Sequence, residues 1–267
     1  MKRIAVILLL FCPNILFGQT DSARIIADYV VHFQDCEEDS QLQSDICRVK
    51  IGHKSVHYFS NYYNYRHTLK MGRKLNNDGM DYKASLNDMP SKNNHCGYWI
   101  YKDMAAKKLV FEIRFNVAYK EDIPTFNWNI EPGDSVICGY PCHKATTTFR
   151  GRTWNVWYTL DIPDSEGPWK LCGLPGLILS AHDTNGQFFF DCFSIKDGKG
   201  YDISYDLKRL KLVTPRKVQD LYVLERSDED DYYLKMAGWV MGERYDENGH
   251  PEKYQPKTRC LLDYIEK

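Results

Sequence analysis

The chain has almost no net charge: 35 Lys and Arg stand against 36 Asp and Glu, a formal balance of −1. Binding a phosphate backbone takes a basic field, so its absence excludes nucleic acid as a partner. Long apolar runs are also missing. Beyond the first eleven residues no stretch approaches the roughly 20 apolar residues that a membrane-crossing helix needs. Low-complexity linkers and internal repeats are absent, and in a chain of 267 residues that favours one domain. No Cys-x-x-Cys pair occurs. The spacing of His53 and His57 falls on a strand pattern rather than a helix, so no metal site is legible. No cofactor is implied either.

What is present points first to export. Lys2 and Arg3 precede an apolar run from Ile4 to Phe11, and the small residue Gly18 follows Pro13 and Asn14. That is the order of a secretory leader, with cleavage expected after Gly18. The expected organisation is a signal peptide over residues 1–18 and a single β-rich domain over 19–267. Cysteine usage agrees. Eight cysteines remain after Cys12 leaves with the leader, an even number that suits a disulfide framework in an oxidising compartment. The local expectations are Cys36 with Cys47, closing an acidic loop, and Cys172 with Cys192 across a hairpin.

Aromatic residues make up 14% of the chain, with 19 Tyr, which favours strands. The alternation Leu109, Phe111, Ile113, Phe115, Val117, Tyr119 predicts one long strand. Shorter runs of period two recur along the chain. Thr214-Pro215 supplies a cap and a first-turn proline for a helix, which the acidic residues 228–231 should end as a solvated loop. The expected fold is mainly β: a single curved antiparallel sheet, up to an open barrel, with one or two peripheral helices.

The densest stretch is residues 138–181. Phe149-Arg150-Gly151-Arg152 joins two β-rich runs through a tight turn at Gly151. The Pro- and Gly-rich residues 161–172 are expected at a sheet end. Gly173-Leu174-Pro175-Gly176-Leu177-Ile178 then reads as a rigid corner, with Gly176 supplying the positive φ of a type II turn. This string, with GPWK before it and CHKATTTFRGRTWNVWYT further upstream, resembles the GLPGLI family of exported Bacteroidetes-type proteins. Ile51-Gly52 with Ser55, Tyr58, Phe59 and Ser60, and Phe126-Asn127-Trp128, are similar to weaker elements of that family. The resemblance implies a periplasmic, outer-membrane-associated or secreted protein of unassigned activity. It supplies no catalytic residues.

Candidate chemistry is sparse. Sequence-adjacent His95-Cys96 and Cys142-His143 would point to opposite faces of a strand, which makes them poor nucleophile–base pairs. Asp161, Asp164 and Glu166 could serve a hydrolase if they converged. Metal handling would need at least three of the His and Cys side chains, drawn from His53, His57, His67, His95, Cys138, Cys142 and His143, to meet. Arg150, Arg152, Trp154, Trp157, Trp169 and Lys170 form an aromatic and basic cluster suited to recognition, or to cation–π fastening of the loop. The leading expectation is a non-catalytic envelope protein that binds a partner protein, a peptide or a lipid-like ligand. The alternatives are a secreted hydrolase and a periplasmic metal handler.

Overall fold

The computed structural model describes residues 20–62 and 96–260, apart from residues 243, 246, 247, 249, 253 and 254. The expected leader, most of a weakly helical segment over residues 61–75, and His67 and His95 lie outside the described residues.

The first half of the domain is a meander of β2 (Ile25–Phe33), β3 (Gln43–Ile51), β4 (Ser55–Ser60), β5 (Tyr98–Asp103), β6 (Lys108–Ile113) and β7 (Val117–Asp122). A second meander follows: β8 (Asn129–Ile137), β9 (Tyr140–Phe149), β10 (Arg152–Thr159), β11 (Leu177–Asp183) and β12 (Phe188–Asp197). The two join through antiparallel pairing of β12 with β2. With β14 (Lys211–Leu212) lying parallel to β7, they form one sheet of 12 strands, β14-β7-β6-β5-β4-β3-β2-β12-β11-β10-β9-β8. The sheet is mainly antiparallel and does not close into a barrel. β1 (Thr20–Ser22) pairs with β13 (Asp202–Ser204), and β15 (Arg244–Tyr245) with β16 (Pro251–Glu252). Helices α1 (Pro215–Ser227) and α2 (Glu229–Ala237) complete the fold.

Topology alone requires strong curvature. β7 and β8 are ten strand spacings apart in the sheet, about 48 Å if it were flat. Only residues 123–128 join them, and they can reach at most about 25 Å. The sheet therefore rolls up. Its concave face holds the main core, including Tyr29, Val49, Phe111, Tyr119, Trp154, Leu179 and Phe190.

Two local expectations are corrected. The run from Leu109 to Tyr119 is a hairpin rather than one strand. A short 3-10 turn at Arg114–Asn116 reverses it, with Phe115 at φ 63° and Asn116 at φ 60°. The turn happens to preserve the alternation, so period two could not reveal it. The acidic residues after α1 are no loop either. Asp228 caps α2 by accepting from the Asp231 N–H at 3.0 Å, and Glu229, Asp230 and Asp231 form its first turn, where the helix dipole favours negative charge. The start of α1 is as expected, with Thr214 as N-cap and Pro215 first.

The convex face is divided. Over β4 to β7 it is covered by residues 201–210, whose Ile203 and Tyr205 pack with Ile26, Tyr101 and Val110 in a second small core. Over β8 to β12 it carries no such cover in the described core clusters.

Candidate functional site

The loop between β10 and β11 turns inward. Residues 166–172 are all buried, which corrects the expectation of a loop at a sheet end. A buried loop must satisfy its own backbone. Here Gly173 N–H donates to Ser165 O at 2.9 Å, Leu177 N–H to Ile162 O at 3.0 Å, and Ile178 N–H to Glu166 O at 2.9 Å. Trp128, in the crossover, donates its indole N–H to Cys172 O at 3.0 Å. The loop thus fills the concave face and ties the two meanders together.

Its buried charged side chains are held by partners on neighbouring strands. Lys102 on β5 donates to Glu166 at 2.6 Å, with both side chains at least nine-tenths buried. Lys170 donates to Tyr119 Oη and to Glu121 Oε1, each at 2.6 Å, and lies over the rings of Phe111 and Tyr119 at 5.1 Å. Arg150 reaches the second oxygen of Glu121 at 2.6 Å. Arg152 bonds Asp183 at 2.5 Å and covers the Phe188 ring. Trp169 packs between Trp154 and Phe149, with centroids 5.6 Å apart in each case.

Of the six residues expected to form a recognition cluster, Trp154, Trp169, Lys170 and Arg152 are therefore internal. Arg150 and Trp157 are half-buried. The carboxylates weighed for hydrolysis do not converge: Asp161 is exposed, Asp164 pairs with Arg24, and Glu166 with Lys102. The corner Gly173–Ile178 works differently from the expected turn. Gly173, at φ 91°, is the glycine with positive φ. Gly176 is needed because a Cβ there would sit 1.9 Å from the Thr159 carbonyl oxygen. At Arg150-Gly151 both residues have positive φ, 53° and 73°, giving the primed two-residue hairpin turn between β9 and β10.

The cysteines are also arranged differently from expectation. The eight cysteines among the described residues form no disulfide with one another in this structure. Cys47 has Cys96 for a neighbour, Cys192 has Cys138, and Cys172 lies beside Lys102, so the pairs Cys36–Cys47 and Cys172–Cys192 are not formed. Pairing geometry depends on strand register, which spacing along the chain does not encode. The histidines weighed as ligands are scattered. His57 sits against the rings of Phe59 and Tyr205, while His143 lies on β9, 4.0 Å from Asp134.

His57 has a pH consequence. Burial, helped by the nearby cations of Lys50 and Arg209, holds its imidazole pKa well below 6.5. The unfolded chain takes up a proton below that value and the native state does not. Stability is therefore full above pH 6.5 and falls as the pH drops below it, by at most about 1.4 kcal/mol per pH unit. Replacing His57 with Phe should flatten this slope in urea unfolding between neutral pH and about pH 5.

The open half of the convex face carries a second constellation that the sequence did not reveal. Strand register aligns Asn155, His182, Phe189, His32 and Ser44 in one row across β10, β11, β12, β2 and β3. The next row is Lys144, Trp157, Ser180, Asp191 and Val30. His182 Nε2 lies 2.8 Å from Asp191 Oδ1 and 3.2 Å from Ser180 Oγ, and Ser180 Oγ is 2.9 Å from the same carboxylate oxygen. The His182 and Asp191 side chains are 41% and 47% exposed. Burial raises the Asp191 pKa, but the bonds from His182 and Ser180 outweigh it and hold the carboxyl below its usual 3.8.

Serine, histidine and aspartate here do not make a nucleophilic triad. A triad uses one ring nitrogen towards serine and the other towards the carboxylate. In this protein a single nitrogen faces both, and the serine proton goes directly to aspartate. The arrangement is a charged, hydrogen-bonding patch flanked by Trp157, Phe189 and the half-exposed Phe193. Ser180-x-His182 on the face opposite Leu177, Leu179 and Ala181 was the available signal. Asp191 enters only through register.

Comparison with known proteins adds a fold and a family of unknown role. Residues 150–180 match a family described as a protein of unknown function, Porph_ging. These residues cover the β9–β10 turn, the buried loop and the corner. No curated protein matches. Among solved structures the chain is similar to PNGF-II in its P21 crystal form, with 14% identity over 77% of this chain and a TM-score of 0.50. It spans about a third of that protein, 34% of its length. A structure of MucB in complex with MucA(peri) is matched at 8% identity and a TM-score of 0.30, over 71% of this chain and 54% of that one. The PNGF-II likeness shows the fold alone.

Proposed function

We propose that this protein is an exported, non-catalytic binding module of the GLPGLI family, and that it recognises a protein or peptide partner on the open convex face of β10, β11, β12 and β2. The observation that carries this reading is the two-row patch of Trp157, His182, Asp191, Phe189 and His32. It combines aromatic area with half-exposed hydrogen-bonding groups, the composition of an interface centre. The concave face, where a lipid would otherwise sit, is filled by Trp169, Leu171 and Leu174 of the loop and by Val218, Leu221 and Tyr232 of the helices. Partner recognition therefore favours the outside. In this reading the GLPGLI corner is a lock that sets the sheet's curvature, and the leader expected over residues 1–18 delivers the domain to the envelope.

The test is retention of envelope proteins on the immobilised protein, with its variants as controls. Trp157→Ala and His182→Ala should each weaken the specific partner by at least about 2 kcal/mol, a roughly 30-fold loss. The urea midpoint should stay near wild type for His182→Ala and fall for Trp157→Ala, because Trp157 also packs against the main core. A partner that binds both variants as tightly as wild type places recognition elsewhere.

A further inference from the structure

We propose a thiophilic divalent-cation site, of the kind that holds zinc, formed by Asp45, Cys47 and Cys96. Asp45 and Cys47 share one face of β3, and Cys96 lies just ahead of β5. The three side chains are no more than 4% exposed, and one carboxylate oxygen and the two sulfurs all lie within 4.8 Å of one another. Tetrahedral zinc, with bonds of about 2.3 Å to sulfur and about 2.0 Å to oxygen, places its ligand atoms about 3.5–3.8 Å apart. Asp45 Oδ2 and Cys47 Sγ are 3.8 Å apart. The carboxylate is already aimed, because the same Oδ2 accepts the Cys96 backbone N–H at 2.8 Å and Oδ1 accepts the Ile46 N–H at 2.8 Å.

A second observation also points to a ligand. The hydroxyls of Tyr58 and Tyr98 are buried and make no hydrogen bond of ordinary length among the described residues. Tyr58 adjoins Cys47, and Tyr98 adjoins Cys96. A buried O–H donor is poorly satisfied by a neutral thiol and well satisfied by a thiolate. Cation binding would convert both thiols to thiolates, releasing two protons while two metal–sulfur bonds form, and would give each tyrosine an acceptor. Three protein ligands leave a fourth position for water, a common zinc arrangement.

The probe is cobalt(II) alone, titrated into the reduced, chelator-treated protein in the absence of oxygen. The expected result is a thiolate-to-cobalt charge-transfer band that saturates at a single equivalent and is displaced by zinc. Cys47→Ser and Cys96→Ser should each abolish the band, while Cys36→Ser and Cys138→Ser keep it. Tyr58→Phe with Tyr98→Phe, which leaves the ligands intact, should weaken binding at least about tenfold. The site is overturned if wild-type protein gives no such band, whether Cys47 and Cys96 are then recovered joined to each other or as alkylatable thiols. A band that survives in a folded Cys47→Ser, Cys96→Ser double variant also overturns it.

Discussion

Replacing Glu166 with Gln should destabilise the protein by about 3–5 kcal/mol, read as a lowered urea midpoint with an unchanged slope. The replacement leaves the Lys102 ammonium buried, 1% exposed, with its carboxylate partner gone. Stranding one member of a buried pair costs far more than the pair contributes while intact. The double variant Lys102→Met, Glu166→Leu should therefore recover most of the loss, because it removes both charges and keeps apolar volume. This pattern separates a structural carboxylate from a catalytic one. A hydrolytic Glu166 would lose activity in both variants without regard to stability. Recovery by the apolar pair is expected only if the loop's charges serve to hold it inside the sheet.

The second large effect is expected at Gly176. An alanine Cβ there would meet the Thr159 carbonyl oxygen at 1.9 Å and its carbon at 2.7 Å, both backbone atoms of a paired strand. Neither atom can move without displacing β10, so Gly176→Ala should cost more than about 4 kcal/mol, at the severe end for single substitutions. Gly173→Ala is the control. Its φ of 91° makes alanine strained, but the nearest atom to the added Cβ is the Trp128 ring nitrogen at 3.7 Å. A cost of about 1–2 kcal/mol is expected there. Thermal or urea unfolding of the two variants side by side checks the order. Equal effects would mean that backbone conformation, rather than close approach, explains the motif.

The contrast between the two glycines shows how far the sequence was legible. Pro175-Gly176 announced a rigid corner, and a corner is present. The role of each glycine depended on which backbone lay alongside, and that is set by the packing of β10 against β11. Period two betrays strands with one buried face, but β3 and β5 are buried on both faces over most of their length and escape it. It could not register the reversal at Phe115 and Asn116, where a three-residue turn keeps the alternation in phase. The aromatic and basic residues near 150–170 stood out in the sequence as a group. Their direction did not, since a loop of Pro, Gly and charge ordinarily faces water, and this one is drawn inward by Lys102, Tyr119 and Glu121 from strands far away in sequence. The outer patch was hidden for a related reason. His32, His182 and Asp191 are unremarkable singly, and only the pairing of β11 with β12 and of β12 with β2 makes them neighbours.

Recognition is proposed on the convex face of β10, β11, β12 and β2, with the Gly173–Ile178 corner as internal scaffolding. The most direct measurement is photo-crosslinking in intact cells, with a photoreactive residue placed singly at positions 157, 189 and 193, and at the exposed control positions 108 and 199. One common crosslinked product is expected from the three face positions and none from the controls. Crosslinks from the controls alone, or equally from all five positions, would contradict it.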